Sequence, residues 1–223
     1  MMHDIVYFVK ESPINNELKY SVRSVMENFP HSKIWFIGGL PDDMDSPTHI
    51  EVEQNGTKWK RVRDMLKKAC EFELISDDFW LFNDDFFVMQ KFDREMNFSN
   101  GDIYDIIKTK QSVAYQSLLK MTGDILKERG CATKNFELHL PMLINKNAMR
   151  EVFDEFDEIP LFRSIYGNYW QIESEEMADV KIYKPFEKIP ADATFVSSSD
   201  SSWIRPVGAY MRERFPNPSK FEK

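Results

Sequence analysis

Apolar residues fall along this chain in two rhythms. Short solid runs at Asp4–Val9 (D-I-V-Y-F-V), 33–37 (K-I-W-F-I) and 79–82 (F-W-L-F) have the length and the β-branched and aromatic content of strands covered on both faces. Between them, residues 17–29 place Leu18, Val22, Val25, Met26 and Phe29 at helical spacing before Pro30. Residues 58–73 repeat that spacing with Trp59, Val62, Leu66, Ala69 and Cys70. A short strand is predicted at 49–53, ahead of Asn55-Gly56. Strand–helix–strand, twice over, predicts an α/β domain whose central sheet is mostly parallel and flanked by helices. We read 1–204 as that single domain and 205–223 as a C-terminal tail, wrapping the surface or mobile.

The second half is less regular. Residues 103–129 read as helix, broken once and stopped by Gly130; 147–156 and 161–170 read as shorter helices. Residues 135–140 (N-F-E-L-H-L) alternate like a strand and carry His139 just before Pro141. Short strands are expected at 180–183 and 194–196, the latter running into the serine-rich stretch 197–202, which reads as a flexible loop holding Asp200.

Composition narrows the class. The 42% apolar content and 18 Phe exclude wholesale disorder. A net charge of −8 argues against general affinity for nucleic acid or anionic membranes. Cys70 and Cys131 have no metal-ligand spacing and suit a reducing compartment. With no signal-peptide pattern and no apolar run of transmembrane length, the expectation is a cytoplasmic protein.

The chemistry concentrates where the run 79–82 meets Asn83-Asp84-Asp85. A pair of aspartates suits an acidic hairpin turn. At the carboxyl end of a buried strand in an α/β sheet, where ligands bind, it suits a metal site instead. Asp84 and Asp85 are hard oxygen donors of the kind Mn²⁺ or Mg²⁺ takes, with water and phosphate oxygens completing the shell. That combination points to a metal-bound diphosphate such as a nucleotide-sugar donor, with Asn83 orienting a carboxylate or touching the donor. His139 is the second candidate, as a metal ligand, a phosphate contact or a base. Lys58 and Arg61, after Asn55-Gly56-Thr57, put cations at a helix start, where a bound anion would relieve the conflict with the helix dipole. Asn55, Lys58 and Arg61 are therefore candidate donor contacts, with Arg23 a weaker one and Asp200 a late ligand or base. No Walker or dinucleotide glycine loop, serine-nucleophile elbow or His-Glu-x-x-His is present.

Taken together, D-I-V-Y-F-V at 4–9, Y-S-V-R-S-V at 20–25, K-I-W-F-I-G-G at 33–39 and F-W-L-F-N-D-D-F-F at 79–87 resemble the GT-A class of nucleotide-sugar transferases. Within it they look closest to the Stealth family of capsular polysaccharide phosphotransferases, whose later His-x-Pro element is matched by His139-Leu140-Pro141. Val9-Lys10-Glu11 stands where that family commonly has V-D-G. The resemblance implies a Rossmann-like GT-A fold and metal-dependent transfer of a sugar, or sugar phosphate, from a nucleotide-sugar donor to a carbohydrate-type acceptor. It also implies a metal–diphosphate role for Asp84 and Asp85, and a place for His139 at the reacting centre. Two alternatives stand beside it: a glycosyltransferase acting on a modified DNA base, and a catalytically degenerate sugar- or protein-binding module.

Overall fold

Each solid apolar run becomes a strand of one sheet. In the computed structural model, which describes residues 2–110, 112–156 and 159–223, β1 (Asp4–Val9), β2 (Ile34–Gly38), β3 (His49–Glu51) and β4 (Asp78–Asn83) pair in parallel. Their order is β3-β2-β1-β4, and β7 (Met142–Asn145) joins the β4 edge antiparallel. The alternation along each strand divides the core between the two faces of this sheet. Ile5, Tyr7, Val9, Trp80 and Phe82 pack with Leu18, Val22, Val25 and Phe29 of the first helical pattern. Val6, Phe8, Phe79 and Leu81 pack on the other side with Leu66, Ala69, Met149, Val152 and Ile165. The first layer is α1 (Asn16–Asn28); the second is α2 (Lys58–Glu71), α5 (Lys146–Glu155) and α6 (Phe162–Tyr169). A single mixed α/β domain with a mostly parallel sheet results, as the pattern predicts.

Both α1 and α2 start at side-chain caps close to the carboxyl ends of the strands. Asn15 accepts from the Leu18 N–H and Thr57 from the Lys60 N–H. At the end of β2, Gly38 has φ of +109°, and a Cβ there would run into the Val9 carbonyl oxygen. Glycine thus lets the chain turn away close beside β1.

One alternative falls away and two expectations are corrected. Asn83-Asp84-Asp85 does not close a hairpin. After it, β5 (Phe86–Val88) leaves the main sheet and pairs antiparallel with β10 (Phe195–Ser198), which in turn pairs with β9 (Lys181–Ile182). Residues 135–140 form no strand. Their N–H groups are taken largely by side chains, Phe136 by Ser164 Oγ at 3.1 Å and His139 by Asp179 Oδ1 at 3.0 Å, and the pairing edge of β4 goes to β7. The serines of 197–202 are not a loose loop: Ser197, Ser198 and Ser202 are fully buried, ending β10 and capping a short helical turn, α7 (Asp200–Ser202).

Two further helices follow the 97–99 strand, β6 (Asn97–Ser99): α3 (Ile103–Ile107) and α4 (Val113–Glu128), with Gly130 at positive φ after them. β6 pairs in parallel with β8 (Ser174–Glu176). Beyond a π-helical turn at Trp203–Val207 comes α8 (Gly208–Arg214). Val207, Met211 and Phe215 pack on Phe87, Met89, Ile182 and Val196, and Phe221 meets Phe36 edge-on at 5.2 Å.

Arg23 belongs to this packing and not to the donor contacts. Its guanidinium grips Glu222, with Nε at 2.9 Å, and donates to the Phe215 carbonyl at 2.8 Å, tying α1 to the end of the chain. Both side chains of the pair are about nine-tenths buried, at 10% and 8% exposure, so removing one leaves the other charged and unpaired. Arg23→Ala should lower unfolding free energy by about 3 kcal/mol in urea titration.

Candidate active site

The carboxyl ends of β1 and β4 lie side by side, with Phe8 opposite Asn83 in the register, and the acidic turn continues from β4. A cleft of about 600 Å³ opens there, lined by Asn83, Asp84, Asp85, Lys58, Arg61, His139 and Asp200, with Asn15, Glu17 and Lys181. Four elements therefore converge on one place: the end of β4, the starts of α1 and α2, and the β9–β10 sheet.

The two aspartates are held differently. Asp84 Oδ2 accepts from the Asn15 side-chain amide at 2.6 Å, so the residue that caps α1 also fixes a cleft carboxylate. Asp85 Oδ2 takes Lys181 Nζ at 2.7 Å and Ser197 Oγ at 3.1 Å. Burial works against the Lys181 charge, but Asp85 more than offsets it, and the ammonium pKa is raised. Glu17, in the first turn of α1, accepts from Ser198 Oγ. Burial, then repulsion from Asp84, Asp85 and Asp200, pushes the Glu17 carboxyl up to about 7 against the Ser198 hydrogen bond. The Asp84 carboxyl is pushed up to about 6, by burial first and by Asp85 second.

His139 sits across the cleft from these carboxylates. Asp179 accepts from both its backbone N–H, at 3.0 Å, and its ring Nδ1, at 2.9 Å. Burial raises the Asp179 pKa, and the hydrogen bonds from His139 outweigh it, holding the carboxylate below its ordinary value. An ionised Asp179 requires Nδ1 to carry a proton; in the neutral ring Nε2 then holds the lone pair. The ring is packed edge-on against Phe86 and Tyr183, at 6.3 and 6.4 Å between centroids. A second cavity of about 750 Å³ adjoins the first, and Asn83, His139 and Lys58 line both.

Asp84 and Asp85 supply hard carboxylate oxygens of the kind a divalent cation takes, and the raised pKa values of Asp84 and Glu17 mark a carboxylate group short of positive charge. Among the described residues no three His, Cys, Asp or Glu side chains form a group able to hold a metal, so the ligand set expected from Asp84, Asp85 and His139 does not assemble as a cage.

No protein-family model matches the chain, and no curated protein sequence matches it. Solved structures do. The galactosyltransferase LgtC, solved with donor and acceptor sugar analogs, superposes with a TM-score of 0.53 over 99% of this chain and 98% of its own, at 11% identity. The fold is of the glycosyltransferase GT-A type. The apo glycosyltransferase GlyE of Streptococcus pneumoniae TIGR4 aligns at 12% identity and a TM-score of 0.47 over 96% of this chain; the chain spans 60% of the GlyE chain. Among the described residues no helix is long and apolar enough to cross a membrane.

Within this GT-A-type fold, seven of the nine predicted site residues meet in the cleft: Asn83, Asp84, Asp85, His139, Lys58, Arg61 and Asp200. Arg23 lies at the C-terminal clamp. Asn55 turns back to Glu53, its Nδ2 on that carboxylate at 2.5 Å, and its neighbour Gln54 takes the cleft position by donating to Val9 O. Sequence reasoning missed Asn15, Glu17, Asp179 and Lys181. Asn15 and Glu17 carry a legible signal, a capping asparagine and an acid in the first turn of a helix that follows a buried strand. Asp179 and Lys181 carry none, since their partners lie 40 and 96 residues away.

Glu17 and Asp84 hold their protons, once folded, at a pH where the unfolded chain has lost them. The stability they contribute is thus complete below the ordinary carboxylate range and is lost as pH rises through about 6 to 7. Glu17→Gln should unfold at higher urea than the parent at pH 8, with the gap closing toward pH 5; an equal gap at both pH values would contradict the raised pKa.

Proposed function

We propose that this cleft transfers a sugar from a nucleotide-sugar donor to the hydroxyl of a carbohydrate-type acceptor. One observation carries the reading: Asp84, Asp85 and the Asp179-held His139 ring line the same cleft at the carboxyl end of the sheet, in a fold shared with a galactosyltransferase. The donor diphosphate lies among Lys58, Arg61 and Lys181, with the carboxylates below it. A divalent ion held by Asp84 and Asp85 would offset the charge gathering on the departing diphosphate.

The protein's own part is positional and acid–base. Asp179 fixes the tautomer and direction of His139, making it the positioning residue for the base. The acceptor hydroxyl gives its proton to His139 Nε2, and its oxygen forms the new bond to the anomeric carbon. The bond from that carbon to the donor phosphate oxygen breaks, and the electron pair leaves on the nucleoside diphosphate. Lys181 stands within reach of that leaving charge, held there by Asp85.

A second reading keeps these residues but moves the attack to phosphorus, transferring a sugar phosphate as in the Stealth resemblance. Its support is that Asn83-Asp84-Asp85 and His139-Leu140-Pro141, two of the motifs of that resemblance, meet at this cleft through Asn83 and His139. The released nucleotide separates the two: a diphosphate for sugar transfer, a monophosphate for sugar-phosphate transfer.

A panel of nucleotide sugars, assayed with Mn²⁺ or Mg²⁺ for the released nucleotide, tests the proposal. Asp85→Asn should lower turnover by about 100-fold or more. His139→Ala should lower kcat by about 100-fold or more with donor affinity kept. Asp179→Asn should lower kcat and displace the basic-side pH profile. Turnover near the parent's in Asp85→Asn and His139→Ala would refute the assignment.

A further inference from the structure

The second cavity has a chemistry that the transfer step does not use. Its walls are aromatic, with Tyr115, Tyr183, Trp59 and Phe162 around His139. Flat aromatic faces beside a few fixed polar groups are suited to a pyranose ring, whose C–H faces are apolar and whose rim is hydroxyl.

Its polar groups are short of partners. Tyr7, Tyr104 and Tyr166 spend their hydroxyls inside the protein, on Ser21, Asp124 and the Asn145 N–H. Tyr115 and Tyr183 make no such bond among the described residues, and both line this cavity. Arg163 is the sharper case. The residue is 6% exposed, Nη1 donates to the Leu140 carbonyl at 2.7 Å, and Nη2 is buried with no partner. A buried guanidinium nitrogen without an acceptor is costly unless something else supplies one.

The charge balance shows what kind of group that is. Lys58, Lys110, Arg163 and Lys184 face only Glu137 and Asp179 in this cavity. Asp179 is already engaged by His139, and Glu137, which accepts from the Ser164 N–H, offsets part of the Arg163 charge. Lys58, Lys110 and Lys184 form no ion pair among the described residues. In a chain of net charge −8, this wall keeps a local positive excess.

We propose that this cavity is the acceptor pocket and that the acceptor is an acidic glycoside, a sugar bearing a carboxylate or a phosphate. The sugar ring lies against Tyr115 and Tyr183 with a free hydroxyl toward His139. The acidic group pairs with Arg163 and Lys184. This rests on the transferase reading of the adjoining cleft.

Calorimetric titration of the full chain tests it with four probes: methyl glucuronoside, glucose 6-phosphate, neutral methyl glucoside and a short DNA duplex. Uridine and guanosine diphosphates, titrated separately with Mn²⁺, report on the donor cleft alone. Either acidic sugar should bind at least about 10-fold more tightly than the neutral one, as expected for a charge-assisted contact. The two acidic probes decide between carboxylate and phosphate. Lys184→Gln, an exposed change, should weaken the acidic sugar about 5- to 10-fold and leave the neutral sugar and the diphosphate unchanged. Arg163→Lys should do the same if its thermal unfolding matches the parent's, and Tyr183→Ala should weaken acidic and neutral sugars alike. Equal binding of acidic and neutral sugars, no sugar binding at millimolar concentration, or DNA binding that excludes the sugars would each overturn the proposal. If diphosphate binding persists in those cases, the transferase reading stands without it; loss of diphosphate binding as well removes both.

Discussion

The structure turns on how two adjacent aspartates are kept at the end of a buried strand. Carboxylates leaving the interior of a sheet need donors at once. Here they come from opposite sides: the Asn15 amide at the start of α1 holds Asp84, and Lys181 with Ser197 from the small sheet holds Asp85. The constraint accounts for more than the site. Because Asp85 is bonded to β9 and β10, the chain after it must join that sheet, so β5 departs where a hairpin partner would have returned. The small sheet in turn seats the C-terminal segment through Phe87, Met89 and Val196.

This explains which parts were legible in the sequence. The strands β1, β2 and β4 were readable because burial on both faces requires solid apolar runs, and α1 and α2 because a helix covering one face must repeat every three to four residues. Their type and order, and the placing of Asn83-Asp84-Asp85 at the sheet's carboxyl end, follow from those two patterns; their ends shift by one or two residues. Residues 135–140 show the limit. The segment alternates as a strand does, but its N–H groups find Ser164 and Asp179, residues that no local pattern connects to it. Serines 197–202 fail for a related reason. A polar run suits a loop, yet here the hydroxyls are buried hydrogen-bonding groups, on Asp85, Glu17 and the Ile182 carbonyl.

The site divides along the same line. Residues contributed by a strand end or a helix start, such as Asp84, Asp85, Lys58 and Arg61, could be placed from order alone. Those whose role depends on a distant partner could not. Arg23 is instructive, since an arginine on the polar side of α1 suits a phosphate as well as it suits Glu222. Only tertiary packing, nearly two hundred residues away in sequence, decides between them.

Charge connects the two cavities. The donor cleft sets Lys10, Lys58, Arg61 and Lys181 against Glu17, Asp84, Asp85 and Asp200, four of each. A diphosphate brought to such a balanced site would meet no net attraction unless a cation came with it or some carboxyls stayed protonated. Glu17 and Asp84, with pKa values of about 7 and 6, are poised for either response. A bound cation would draw their protons off, while a rise in pH without one would leave the cleft more negative and less able to take the donor. The second cavity carries no such balance, with four cations facing two carboxylates. On the proposed reading, the donor side therefore responds to pH and metal through Glu17 and Asp84, whereas the acceptor side works through an arginine and lysines of the second cavity.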